Sequence, residues 1–479
     1  MRTILTRFRF RTLRRAATCA AALSASVALV VACSDSETSR PSFDDPDTGG
    51  RANLPEAGAA VEAGPQPDAN DKDPYSSEDE EVVCATDGGP CAKQIVAGRD
   101  HFCARMEGGT VHCWGKDEFG NLGRGSKKED ADGGVTWRIP PVADLTGATQ
   151  ISAGADTTCA RLDDGSIRCW GGNRNAELAL TEEGPPISDW EPHPAPVQPA
   201  GVGSATRVDV GHGSVCAVLT NGELWCWGRA DIGQLARPIP RDSLNGSPRV
   251  ADVGPLTVAS AQSGSHSTLG LTTGGELWAW GALSGKEGYC SGVIASISPS
   301  LVPRKIKELS NVTSFAISEH FDPEIYVPER APPQAHACAI ANDGNLYCWG
   351  RSDKTALCTG KPDREIAPAA APVESKAWPQ RVAVAREITC VRMTDGSVQC
   401  CGSNERGRMG LPRQTTHSAL LTPVASFKGH AVQVAISDAS VCALVQGGTV
   451  ECWGSNVNRE LGTTDPDEND HPEPMLVSF

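Results

Sequence analysis

From residue 94 onward the chain repeats one pattern of apolar and polar positions. Two short runs of alternating character flank a turn with glycine in its third place, and a glycine closes the second run. His101-Phe102-Cys103-Ala104-Arg105 and Val111-His112-Cys113-Trp114-Gly115 form the first copy. The pattern returns over Cys159–Gly171, Cys216–Gly228, Cys338–Gly350, Cys390–Gly402 and Cys442–Gly454. A further copy, Leu269–Gly281, keeps the Trp-Ala-Trp-Gly ending without cysteine. The closing glycines stand at 115, 171, 228, 281, 350, 402 and 454, a period that marks a solenoid or a propeller. Period-two alternation around glycine turns predicts strands. Further runs at Val142–Leu145, Thr149–Gly154, Val424–Phe427 and Val432–Ile436 bring each repeat to about four strands, the size of a propeller blade. Repeat one starts at Gln94 with no Pro-Val run before it, and Pro423–Phe427 is taken to open the last repeat. The C-terminal Pro474–Phe479 is therefore expected to complete the first blade and close the ring, which removes exposed edges.

The turns set the cysteine register. They read Glu107-Gly108-Gly109, Asp163-Asp164-Gly165, Thr220-Asn221-Gly222, Thr273-Gly274-Gly275, Asn342-Asp343-Gly344, Thr394-Asp395-Gly396 and Gln446-Gly447-Gly448. A three-residue loop ending in a positive-φ glycine places the two cysteines of a copy directly opposite one another. Disulfides are then expected for Cys103 with Cys113, Cys159 with Cys169, Cys216 with Cys226, Cys338 with Cys348, Cys390 with Cys400 and Cys442 with Cys452. Buried free thiols are the second reading, and zinc the third, because the spacing is not that of a knuckle. Copy four loses both members together, as Leu269 and Ala279, which fits pairing. Cys84 with Cys91 is expected to clip a tight loop, Cys290 and Cys358 are candidates to pair, and Cys401 is left as a buried thiol.

The recurring Ala-Gly…His-x-Cys-Ala-Leu…Asp-Gly…Cys-Trp-Gly…Gly-x-Leu-Gly arrangement resembles the regulator-of-chromosome-condensation repeats of seven-bladed β-propellers, over about residues 94–479. Copies depart from it: Cys401 replaces one tryptophan, and only some copies keep Gly-x-Leu-Gly. The resemblance implies an all-β, single seven-bladed propeller. The eukaryotic namesake is a nuclear nucleotide-exchange factor. Secreted bacterial members, a β-lactamase inhibitor among them, bind a target through one propeller face.

The N-terminal sequence places the protein outside the cytoplasm. Six arginines between Arg2 and Arg15 precede an apolar stretch, Ala16–Ala32, too short and wrongly flanked for a permanent span. Val30-Val31-Ala32-Cys33 resembles the lipobox of bacterial lipoproteins, which implies a signal peptide over 1–32 and lipidation of Cys33. Ser34–Glu81 holds fourteen acidic residues among Pro, Gly and Ala, so residues 33–81 are expected to form a lipidated, disordered acidic linker. The propeller is assigned to 82–479. Export explains how nineteen cysteines can coexist in one chain. A net charge of −16 argues against nucleic acid as a partner.

No Gly-x-Ser-x-Gly, His-Glu-x-x-His, phosphate-binding or calcium loop occurs, and neither a cofactor nor a metal site is expected. His101 and His336 precede repeat cysteines and are read as structural hydrogen-bonding groups. One insertion, between Ser318 and Pro333, breaks the repeat with exposed aromatic and acidic character. Phe321, Asp322, Glu324 and Tyr326 are its candidate binding residues. These features point to a non-catalytic, monomeric cell-envelope lipoprotein, lipid-anchored on the periplasmic or outward face of the outer membrane, that binds an envelope or extracellular protein or glycan. A propeller hydrolase or lyase with channel carboxylates is the alternative, and an exchange-factor-like regulator a weaker one. Cys33→Ser should release the protein from detergent-dependent fractions into the soluble one, because the acyl chains would be lost.

Overall fold

The three-residue loops predicted from sequence organise the whole structure. In the computed structural model, which describes residues 75–85, 88–125, 138–181, 186–238, 245–281, 300–319, 335–352, 354–361 and 363–479, Gly109, Gly165, Gly222, Gly275, Gly344, Gly396 and Gly448 all have φ between 75 and 86°. Each ends the loop of a hairpin, and in six of the seven two cysteines face one another directly, as Cys103 faces Cys113, while in blade four Leu269 faces Ala279. Around these hairpins stand seven antiparallel sheets: Ala92–Gly115, Ala148–Val197, Ala205–Val250, Val258–Lys305, Val312–Ala370, Pro379–Pro423 and Ala431–Leu476. The last six have four strands each, running from the channel outward in chain order, and the first has three. The architecture is the seven-bladed propeller expected.

The core lies between blades. Seven apolar clusters each join two neighbouring blades, with the last joining blade seven to blade one. At the centre of most sits the tryptophan of the Trp-Gly pair, no more than 1% exposed at Trp114, Trp170, Trp227, Trp280, Trp349 and Trp453. The indole N–H reaches back to a carbonyl of the preceding blade: Trp170 to Asn121 at 3.0 Å, Trp227 to Glu177 at 2.7 Å, Trp280 to Gln234 at 2.9 Å and Trp453 to Arg408 at 2.9 Å. That carbonyl belongs to the Gly-x-Leu-Gly turn, whose first and fourth residues are left-handed. Copies lacking the glycines keep the geometry, with Ala176 at φ 62°, Ala179 at 50° and Arg459 at 65°. Non-glycine residues there cost about 1–2 kcal/mol each, so the packed tryptophan over-determines the turn.

The ring closes differently from the sequence expectation. The C-terminal strand, Asp467–Leu476, is the outer strand of its own blade, paired with Val450–Asn456, and does not complete blade one. The Pro-Val runs end blades and do not open them. Val424 N–H bonds Val398 O at 2.9 Å, and Val477 N–H bonds Val450 O at 2.9 Å in the same way. Blade one finds its fourth edge locally, through a bridge between His112 and Pro141 and a 2.7 Å bond from Val142 N–H to Val111 O. Every blade is thus contiguous in the chain. The seam is closed as any other interface, by Trp114 donating to Glu460 O at 2.9 Å, with Phe479 set edge-on to Trp114 at 5.7 Å. A second correction concerns the linker: Tyr75–Glu81, expected to be disordered, lie against blades five to seven, held by the contacts described below. Residues 33–74 lie outside the described residues, as do 1–32.

Disulfides join all six hairpin pairs and Cys84 to Cys91. An eighth corrects the expected pairing: Cys401 is not a free thiol but is bonded to Cys358. Its position explains it. Cys401 stands where other blades carry the tryptophan, and Cys358 is the last residue of the Thr355–Cys358 turn that would receive that ring, at φ 56°. A covalent bond replaces the indole–carbonyl contact between blades five and six. Cys290 lies outside the described residues. Cys401→Ser should lower stability by about 4 kcal/mol for a 43-residue closed loop. Cys358→Gly with Cys401→Trp should restore the repeat's own contact and melt within a few degrees of the parent in thermal unfolding.

Candidate functional site

An antiparallel meander sends alternate connections to opposite ends of the ring. The glycine hairpins and the connections between blades form one face, here the turn face. The connections from first to second and from third to outer strand form the other, the loop face. The insertion of blade five leaves from the loop face. Its flanking strands, Val312–Glu319 and Ala335–Ala341, pair up to Glu319 with Ala335, and Ser318 lines the central channel. Phe321, Asp322, Glu324 and Tyr326 lie outside the described residues, so the structure places the ends of the candidate binding loop and not its side chains. Cys33 lies outside them too.

The channel, of about 320 Å³, is walled mainly by the backbone and small side chains of the innermost strands. Among the described residues its lining contains one carboxylate, Asp438, together with Arg99 and His212. Burial raises the Asp438 carboxyl above its ordinary range, against the opposing pull of Arg99, Arg386 and Arg408. Asp100, nearby on the same rim, is raised by burial and by Asp438. Arg99 also approaches Asp156 at 3.8 Å. On the described rim the acids Asp100, Asp156 and Asp438 and the bases Arg99, Arg386 and Arg408 come from blades one, two, six and seven. Among the described residues no group of three or more His, Cys, Asp or Glu is placed to hold a metal ion.

The two histidines singled out in the sequence bridge blades. His101 Nε2 shares a 2.8 Å bond with Thr158 Oγ1, and His336 Nε2 a 3.0 Å bond with Thr389 Oγ1. Thr389 gives its only hydroxyl proton to Ala356 O at 2.7 Å, so His336 must donate through Nε2. Burial pushes both imidazoles down to about 4, so both are neutral at physiological pH.

Sequence reasoning missed an exposed aromatic on the loop face. Trp190, at the start of the outer strand of blade two, is 60% exposed although most other indoles are packed away. The Arg174 guanidinium lies 4.1 Å from its ring and 4.3 Å from the Phe119 ring, a stack that fixes the indole. The adjoining Asp189 is locked by Asn173 Nδ2 at 2.9 Å and His193 Nε2 at 2.8 Å. Blade seven repeats that arrangement with Asn456, Asp467 and His471. The signal was legible as Asp-x-x-x-His-Pro at 189–194 and 467–472.

With this geometry established, comparison with known proteins places the repeat. The profile described as "Regulator of chromosome condensation (RCC1) repeat" matches residues 92–121, 148–176 and 334–356, and a second profile of the same description matches 108–161. The protein is an RCC1-repeat propeller. The propeller is 25% identical over 260 residues to the ultraviolet-B receptor UVR8 of Arabidopsis thaliana, covering 53% of this chain and 52% of the relative. It is 30% identical over 189 residues to the mitochondrial RCC1 domain-containing protein RUG3 of the same plant, covering 39% of this chain and 41% of the relative. The chain thus spans about half the length or less of these curated relatives. The solved structure of Prp20p from Saccharomyces cerevisiae superposes with a TM-score of 0.61 at 17% identity, covering 84% of this chain and 88% of that one. Human WBSCR16 gives 0.60 at 16%, covering 78% and 94%, and both likenesses show the fold.

The neutral histidines make stability of this RCC1-repeat propeller pH-dependent. Between pH 6.5 and about 4 the unfolded chain binds protons at these sites that the folded chain refuses. Stability should therefore fall as pH drops through that window, by about 1.4 kcal/mol per unit for each histidine. In a His101→Gln/His336→Gln double variant, which retains a side-chain donor at each site, that component should vanish. Urea titrations of parent and variant at pH 7 and pH 5 measure the difference.

Proposed function

We propose that the protein is a non-catalytic binding propeller of the bacterial cell envelope, exported and held to a membrane through a lipid on Cys33, with the loop face as its docking surface. The observation that carries this reading is the division of labour between the two faces. The loop face carries Glu319 and Ala335, between which the blade-five insertion is spliced, and the braced, solvent-facing Trp190. The turn face is covered over blades five to seven by the chain's own Tyr75–Glu81. A rigid exposed aromatic is a usual interface anchor, and long loops carry binding residues. Export agrees with the eight disulfides among the described residues. Relatives lend support: Prp20p was solved in connection with its binding to Gsp1p and histones, and again bound to Kap60. The partner here is a protein of the envelope or its surroundings.

Immobilised protein exposed to envelope extract under cross-linking tests the reading. Trp190→Ala, Phe321→Ala and Tyr326→Ala should each reduce partner retention about thirtyfold, the equivalent of about 2 kcal/mol, with melting temperature unchanged. Replacing Glu319–Pro332 by a short Gly-Ser turn should abolish retention and leave the fold intact. Full retention by all four variants would overturn the assignment of the loop face.

A further inference from the structure

The segment Tyr75–Glu81 crosses the turn face in a manner that resembles a bound peptide more than a packed terminus. Three consecutive carbonyls are read by two side chains of blade six. Gln380 Nε2 donates to Ser76 O at 3.0 Å and to Glu78 O at 2.6 Å, and Arg381 Nη2 donates to Ser77 O at 3.2 Å. Contacts of that kind hold an extended backbone whatever its side chains. Side chains then add selectivity at both ends. At one end the Tyr75 ring stands edge-on to Trp378, with centroids 6.4 Å apart, and its hydroxyl lies 3.2 Å from Thr313 Oγ1. At the other, Asp79 pairs with Arg381 at 2.6 Å, and Glu80 bridges Arg392 at 3.0 Å and His430 Nε2 at 2.5 Å.

Arg392 is held toward the segment by contacts within the ring itself. Arg392 is a strand residue of blade six whose side chain is 0% exposed. Its Nε donates to Ala431 O at 3.0 Å and one Nη to Gln380 Oε1, which aims the other Nη at the groove. Glu80 supplies the carboxylate that meets it there. Burial depresses the Arg392 guanidinium, and Glu80 is the largest charge opposing that effect. Beside the segment lies a cavity of about 570 Å³, with Lys93, Arg105 and Arg381 on the ring side and Asp79–Val82 on the other. Arg381 reaches Asp79 and Lys93 Nζ donates to Val82 O at 2.9 Å, so cationic side chains of blades one and six share the lining of this cavity with the acidic strap.

The geometry points to a peptide-binding groove on the turn face, spanning blades five to seven, that takes an extended segment with an aromatic residue followed four and five positions later by two acids. In this chain the groove is filled in cis by Tyr75–Glu81, and it accepts the same chemistry in trans when the strap lifts. The strap is pinned at its C-terminal end, where Val83 N–H bonds Gln446 O at 2.8 Å and Cys84 is bonded to Cys91, so lifting frees the groove without detaching the chain. The ligand class is an acidic, extended protein segment. The inference is independent of the loop-face reading, because it concerns the opposite end of the ring.

The test is a fluorescence-anisotropy titration of the full chain with a labelled synthetic peptide of residues 75–82. In the parent, the tethered copy competes at high effective concentration, so binding in trans should be weak. Asp79→Asn/Glu80→Gln in the protein weakens the tethered copy, and the unaltered peptide should then bind at least tenfold more tightly. A scrambled peptide should not bind, and Arg381→Ala added to the double variant should remove the gain. Equal affinity for parent and double variant, or equal binding of the scrambled peptide, would overturn the proposal. Should the double variant fail to fold, Tyr75→Ala, which retains every contact of Asp79 and Glu80, carries the same titration with the same two outcomes.

Discussion

One contact recurs around the ring and sets the spacing of everything else: an indole N–H buried in one blade, bonded to a carbonyl in a left-handed turn of the blade before. The bond alone contributes about 1 kcal/mol, but it is made under a ring whose burial contributes more, and an unmet donor there would be costly. It fixes how far the third strand of one blade stands from the loop of its neighbour. Because the turn accepts from outside its own blade, neither partner is complete alone. That reciprocity is why alanines and an arginine persist at positive φ in turns whose glycines are lost. It is also why blade six, lacking its indole, holds blade five by a disulfide at the same place.

The repeat made the architecture legible, because hairpin spacing and a third-place glycine have few geometric solutions. The cysteine register followed from the same turn. What the sequence could not give was the phase of the blade. A Pro-Val run reads equally well as the start of one blade or the end of the last, and strand pairing such as the bond from Val477 to Val450 distinguishes them. The partner of Cys401 was hidden for a related reason: its equivalence to a tryptophan was visible, but the turn that receives that tryptophan was not known to include Cys358. Tyr75–Glu81 misled through composition. Acidic, glycine- and proline-rich flanks predict disorder in isolation, whereas the arginines that hold this stretch lie some 300 residues further on, at 381 and 392. Trp190 was missed because a lone aromatic in a strand is read as core.

The two faces are consequently unequal in kind. On the turn face the chain satisfies its own charges, with the acids of the strap set against arginines of the ring. On the loop face the aromatic stack of Phe119, Arg174 and Trp190 ends in solvent. A ring stiffened by disulfides within its blades holds these two surfaces at a fixed separation, so occupancy of one need not disturb the other.

The strap also decides how the molecule carries load. A pull on the chain N-terminal to Tyr75 does not reach blade one directly. It first meets the contacts at Thr313, Gln380, Arg381, Arg392 and His430, strung along the strap so that a pull along its length loads them in shear, and then the Cys84–Cys91 loop. Contacts loaded together in shear resist far better than contacts opened one after another. Tension is thereby shared among three blades before the seam between the first and the last feels any of it.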